Sequence, residues 1–176
     1  MHIYIFIIAL VHIYVKRYHN RVIKTRKDMI LVELLAKEQI QRTSEKGISW
    51  QDAITLSAKP LLDKKIIAGD YIDAVIAVCQ EKGPYMNIGS QIVLAHARPL
   101  PSTKEACIAL LQTAEEIFFM DEKHPARLWF FLATPDATSH VAIMQKLAAV
   151  LTDSDKIQRL LAAESIEILA NVFSGE

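Results

Sequence analysis

Only two cysteines occur in the chain, Cys79 and Cys107. They lack the spacing of a metal site, and two thiols make no disulfide framework, so a reducing compartment is the simplest context. No Walker-type glycine loop is present, which argues against ATP as a direct phosphoryl donor. No Gly-x-Ser-x-Gly occurs either, and the serines and cysteines form no convincing nucleophilic triad. Formal net charge is zero, so no global field points to nucleic acid. The sequence shows no internal repeat and no low-complexity segment.

What is present is globular in composition. Apolar residues make up 52% of the 176, and charged residues 23%, enough for one domain with a sizeable core. Charge is distributed unevenly. Residues 1–28 carry six basic side chains (Lys16, Arg17, Arg21, Lys24, Arg26, Lys27) and one acid, Asp28, whereas the rest holds 14 basic against 19 acidic residues. Ile3 to Val11 is an apolar run too short to span a bilayer comfortably, and its positive charges follow it rather than precede it as in a signal peptide. Three readings stand: an upstream start with Met29 as the true beginning, a short membrane-touching anchor, or an element packed on the domain. The first is favoured. The expected organisation is an extension over 1–28 and a single domain over 29–176.

Along the body, Met29 to Lys37 has helical spacing, and Ile40 to Arg42 is a short strand candidate. Ser49 with Asp52 three residues on marks a helix start, and the helix that follows contains Pro60. Asp70 is expected to cap a helix from Tyr71 to about Lys82, ended by Gly83-Pro84. The period then changes. Tyr85–Ile88, Gln91–Ala97, Ala106–Gln112 and Glu116–Met120 read as strands, and Arg127–Ala133 as a strand buried on both faces. After the Pro135–Thr138 turn a helix is expected to bury Val141, Met144, Leu147, Ala148 and Leu151. Two short helices, capped by Asp153 or Ser154 and by Ser165, close the chain. Helices, then strands, then helices predict an α/β sandwich, a mixed β-sheet flanked by helices on both faces.

The chemistry concentrates at His96, at the end of the apolar run Gln91–Ala97, with Arg98 and Pro99 beyond it. Imidazole is the side chain that can be a neutral nucleophile near pH 7, and a strand end is where loops begin. His140 follows the apolar strand and its turn. If the two strands are neighbours, both rings emerge at one sheet edge, beside helix amides suited to an anion. Such a pair suits a phosphoryl group on one imidazole: a neutral ring nitrogen attacks while the other keeps its proton on a fixed acceptor. The blander reading makes His96 a core histidine and His140 the opening of its helix. Arg98 is equally a surface charge or a phosphate contact. Ser139 either caps the helix or donates to phosphate. No third ligand with metal spacing accompanies the histidines, so no metal is expected. Cys79 falls on an apolar helix face and reads as core.

At these residues the chain resembles the Enzyme IIA component of the sugar phosphotransferase system, in the mannitol/fructose superfamily and its ascorbate-type branch. The resemblance lies in Ser49-Trp50-Gln51-Asp52-Ala53-Ile54, Tyr71-Ile72-Asp73-Ala74-Val75, Gly83-Pro84-Tyr85 with Leu94-Ala95-His96-Ala97-Arg98-Pro99, and Phe131 through His140. It implies a cytoplasmic phosphocarrier without cofactor. His96 would take phosphate from the phosphocarrier HPr and pass it to a cysteine of Enzyme IIB, and through it serve the membrane Enzyme IIC, with His140 beside it. The family's Pro before the active histidine is replaced here by Ala95, and its Pro-Gly in the preceding turn by Ser90-Gln91. A regulatory module signalling through its phosphorylation state is the alternative.

Overall fold

The computed structural model describes residues 35–174. The predicted extension and most of the predicted Met29–Lys37 helix lie outside the described residues. Lys37 itself stands in a short 3-10 turn, Lys37–Gln39. The elements that follow are β1 (Ile40–Thr43), α1 (Trp50–Asp63), α2 (Gly69–Lys82), β2 (Asn87–Gly89), β3 (Gln91–His96), β4 (Cys107–Phe118), β5 (Pro125–Ala133), α3 (Ala137–Leu151), α4 (Ser154–Ala162) and α5 (Ile166–Ser174). The strands form one sheet in the order β1-β4-β5-β3-β2. Pairs β1/β4 and β3/β5 are parallel, and β4/β5 and β2/β3 antiparallel. The sheet is therefore mixed, as expected.

β5 lies at its centre and shows why the near-continuous apolar run is needed. Trp129, Phe131 and Ala133 face a core under α1 and α2, built on Ile54, Leu61, Tyr71 and Val75. Leu128, Phe130 and Leu132 face the opposite core, built on Ile143, Leu147, Leu160 and Phe173 from α3, α4 and α5. Each face of the strand thus buries full-sized side chains, worth roughly 1.5–3 kcal/mol apiece.

Local chemistry sets the helix ends. Ser49 Oγ accepts from the Asp52 amide at 3.1 Å and donates to the Asp52 carboxylate at 2.6 Å. Pro60 leaves the carbonyl of Leu56 without its helical donor. The Gln41 side-chain amide on β1 fills that position at 2.7 Å, and α1 continues to Asp63. Gln112, fully buried on β4, donates to the carbonyls of Leu160 (2.8 Å) and Ala163 (2.9 Å) and so caps the end of α4. Gly83 ends α2 at φ 75°, a left-handed angle that glycine adopts without cost.

Four expectations are corrected. Asp70 lies inside the first turn of α2, which starts at Gly69 behind Ala68 with no side-chain cap. The early strand is Asn87–Gly89 rather than Tyr85–Ile88. The two strands expected over Ala106–Gln112 and Glu116–Met120 are one, β4, whose register slips between Gln112 and Ile117 opposite β5. That bulge hides the continuity by breaking the two-residue alternation. In α3 the buried stripe is Ile143, Leu147 and Val150, and Val141 is exposed.

Candidate functional site

β3 and β5 run parallel with His96 opposite Leu132, so both strands leave the sheet at the same edge. β5 continues through a turn into α3, whose first turn holds His140. The two rings meet there, with centroids 5.5 Å apart and planes inclined by 42°. Tyr85 packs edge-on against His96 at 6.1 Å. Beneath them the buried hydroxyl of Tyr71 lies 3.1 Å from the carbonyl of Ala97, 3.2 Å from that of Leu132 and 3.3 Å from the Ala97 amide. It ties the end of β3 to the end of β5.

The protonation of His96 follows from its partner. Nδ1 lies 2.9 Å from the carbonyl oxygen of Leu94. A carbonyl only accepts, so Nδ1 carries the hydrogen and Nε2 is left with its lone pair. Burial pushes the ring down to about 4; the Leu94 carbonyl opposes this, and His140 adds to it. Burial lowers His140 as well. Both rings are thus neutral at pH 7, and His96 presents a bare, oriented nucleophilic nitrogen.

The other predicted site residues fall differently. Arg98 is exposed, two residues past His96. Ser139 is engaged: its amide donates to Asp136 Oδ1 at 2.8 Å and its hydroxyl to Oδ2 at 2.7 Å, making Asp136 the cap of α3. These two bonds hold the Asp136 carboxyl below its usual range. The helix terminus expected to offer amides to an anion therefore already has a carboxylate at Ser139. Cys79 is buried, its Sγ 3.4 Å from Met86 Sδ, and burial pushes its thiol up to about 12, which suits a core residue. Sequence reasoning did not single out Tyr71 or Tyr85 for the site. Their side chains reach it only through the fold, and their one signal was a place in the matching motifs.

Among the described residues no group of three His, Cys, Asp or Glu side chains could hold a metal, and no helix is long and apolar enough to cross a membrane. Cavities of about 300 Å³ (bounded by Trp50, Glu115 and Phe118) and about 220 Å³ (bounded by Ile88, Leu151 and Ile157) are lined by neither histidine.

Comparison with known proteins supplies the family and the fold. A family described as "Phosphoenolpyruvate-dependent sugar phosphotransferase system, EIIA 2" matches residues 33–175. The mannitol-specific cryptic phosphotransferase enzyme IIA component of Escherichia coli is 31% identical over 125 residues, covering 71% of this chain and 85% of that protein. A solution structure of that name superposes with a TM-score of 0.76 at 29% identity, over 83% of this chain and 99% of that one. An ascorbate-specific EIIA component of Mycoplasma pneumoniae is 26% identical over 129 residues, 73% of this chain and 81% of that protein. The fold is shared with a complex of the Escherichia coli mannitol enzyme IIA and phosphorylated enzyme IIB, at a TM-score of 0.64 and 19% identity, over 79% of this chain and 96% of that one.

Proposed function

The chain belongs to the EIIA 2 family of the phosphoenolpyruvate-dependent sugar phosphotransferase system, and on that premise we propose that His96 is its covalent phosphoryl acceptor. Nε2 attacks the phosphorus of a phosphorylated HPr imidazole. The donor's P–N bond breaks and its electron pair stays with the donor ring. The new P–N bond forms on Nε2 while Nδ1 keeps its proton on Leu94. His140, whose ring centroid stands 5.5 Å from that of His96, donates to the transferring group in this reading. The phosphoryl group then passes to a cysteine of Enzyme IIB, which serves Enzyme IIC, with the whole relay on the cytoplasmic side.

The observation that carries this reading is the pairing of a tautomer-fixed His96 with His140 at 5.5 Å. Most of what remains is positioning and charge stabilisation, which a preformed site supplies. For the sugar we propose an ascorbate-like substrate. The named relatives divide between mannitol and ascorbate, so the pairing with Enzyme IIB decides.

Incubation with phosphoenolpyruvate and the general phosphotransferase proteins should add one phosphate, acid-labile and base-stable, that His96→Ala abolishes. An unlabelled wild type would overturn the reading. Onward transfer to an ascorbate-type Enzyme IIB but not a mannitol-type one would support the sugar, and the reverse would overturn it.

A further inference from the structure

Thr134 is fully buried, and its hydroxyl has no hydrogen-bond partner. It follows the last residue of β5 and precedes Pro135, a neighbour that keeps it extended. The two-residue alternation then carries its side chain to the side of Leu132, which packs in the core under α3 and lies opposite His96. His96 shares that side with Ile92 and Leu94. Two residues past Thr134 stands Asp136, the cap of α3, and one turn further His140, whose Nδ1 is likewise buried without a partner. Two unmet polar atoms thus follow the end of β5, one on Thr134 and one on the His140 ring whose centroid lies 5.5 Å from that of His96. Ser139, by contrast, already donates its hydroxyl to Asp136.

We propose that the Thr134 hydroxyl donates a hydrogen bond to an oxygen of the phosphoryl group carried on His96 Nε2. The proposal rests on the reading of His96 as acceptor. A buried hydroxyl without a partner costs folding free energy, and such a group in a folded protein calls for an explanation. A phosphoryl oxygen supplies an anionic acceptor, to which a hydrogen bond is roughly twice as strong as a neutral one. Thr134 is uncharged, so it holds the group without fixing it there as a buried cation would, which suits a relay that must release what it takes.

The test uses the full chain phosphorylated through phosphoenolpyruvate and the general phosphotransferase proteins. Thr134→Val keeps the shape and removes the hydroxyl; Thr134→Ser keeps the hydroxyl. The Val variant should accept phosphate about tenfold more slowly, shift the phosphohistidine ³¹P resonance, and hold the wild-type urea midpoint or better before phosphorylation. The Ser variant should restore rate and resonance. Wild-type rate and resonance in the Val variant, in a labelled background, overturn this inference alone. So does a loss of rate that the Ser variant does not restore. A wild type that takes no label overturns the acceptor reading and this one with it. Should the Val variant fail to fold, Thr134→Ala against Thr134→Ser decides by the same two signals.

Discussion

β5 has a histidine region at each end, and the two are built on opposite plans. Before Pro125, His124 places Nδ1 2.6 Å from the Asp121 carboxylate, in a largely exposed loop. Past Ala133, His96 and His140 face each other across a half-buried edge, and the influences that shift His96 include no carboxylate. The first arrangement satisfies an imidazole with an anion that never leaves. The second leaves two rings neutral, one nitrogen bare, and polar atoms unmet. An imidazole already joined to a carboxylate is a loop fastener; a pair denied one keeps no fixed counter-charge.

The sharpest way to break this contrast is to remove one ring from each end. His140→Gln should slow phosphoryl acceptance by His96 on the order of 10²- to 10³-fold, the usual loss when a preorganised donor to a developing anion is removed. His124→Gln should leave the rate within about twofold, since its loop enters β5 at the end opposite the one where His96 pairs with Leu132. Single-turnover labelling of both variants checks this. Equal losses, or a loss confined to His124→Gln, would erase the distinction.

Acid separates the two ends by pH window. His96 binds its proton at about 4 in the fold against 6.5 for a free ring. Between these values the unfolded chain takes up a proton that the folded one does not, so stability falls as pH drops from 6.5 towards 4 and levels off below. The difference amounts to at most about 3 kcal/mol. Asp121 is shifted down from 3.8, chiefly by its bond to His124, so its contribution is present above 3.8 and is lost only at lower pH. Urea midpoints across pH should show His96→Gln flattening the 6.5–4 slope and Asp121→Asn altering only the more acid limb. Phosphoryl acceptance should be level from pH 8 to about 5 and decline as the His96 ring begins to protonate.

The site was more legible than the sheet that builds it. His96 ends an apolar run just before Arg98-Pro99, His140 follows the next apolar run and its turn, and parallel neighbours must deliver their ends to one edge. Ser49 and Gly83 were legible for the same reason: cap chemistry acts within a few residues. β4 was not, because Thr113 to Glu116 form a bulge whose polar side chains mimic a loop. The stripe of α3 was legible in part: Leu147 is buried and Met144 and Leu151 pack partly buried on the same core, while that core selects Ile143 and Val150 and leaves Val141 exposed. Tyr71 lay beyond reach: its hydroxyl serves backbone 26 and 61 residues away, and no local pattern announces that.

The smallest expected effect concerns the turn entering β3, at the His124 end of β5. Gln91 pairs with Ala126 and sits at φ 63°, where a side chain is strained and glycine is not. This is a position where the resembling family often has glycine. Its amide donates to Glu116 at 2.9 Å, an exposed bond that offsets part of the strain. Gln91→Gly relieves the strain but loses that bond and frees more backbone in the unfolded chain. The net should be a gain of no more than about 1 kcal/mol, read as a small rise in urea midpoint. The phosphoryl-transfer rate should not move, because Gln91 lies at the opposite end of β3 from His96. A rate that changed with this turn would mean that the two ends of the central strands are coupled, and that the fastening loop and the reacting edge are parts of one device.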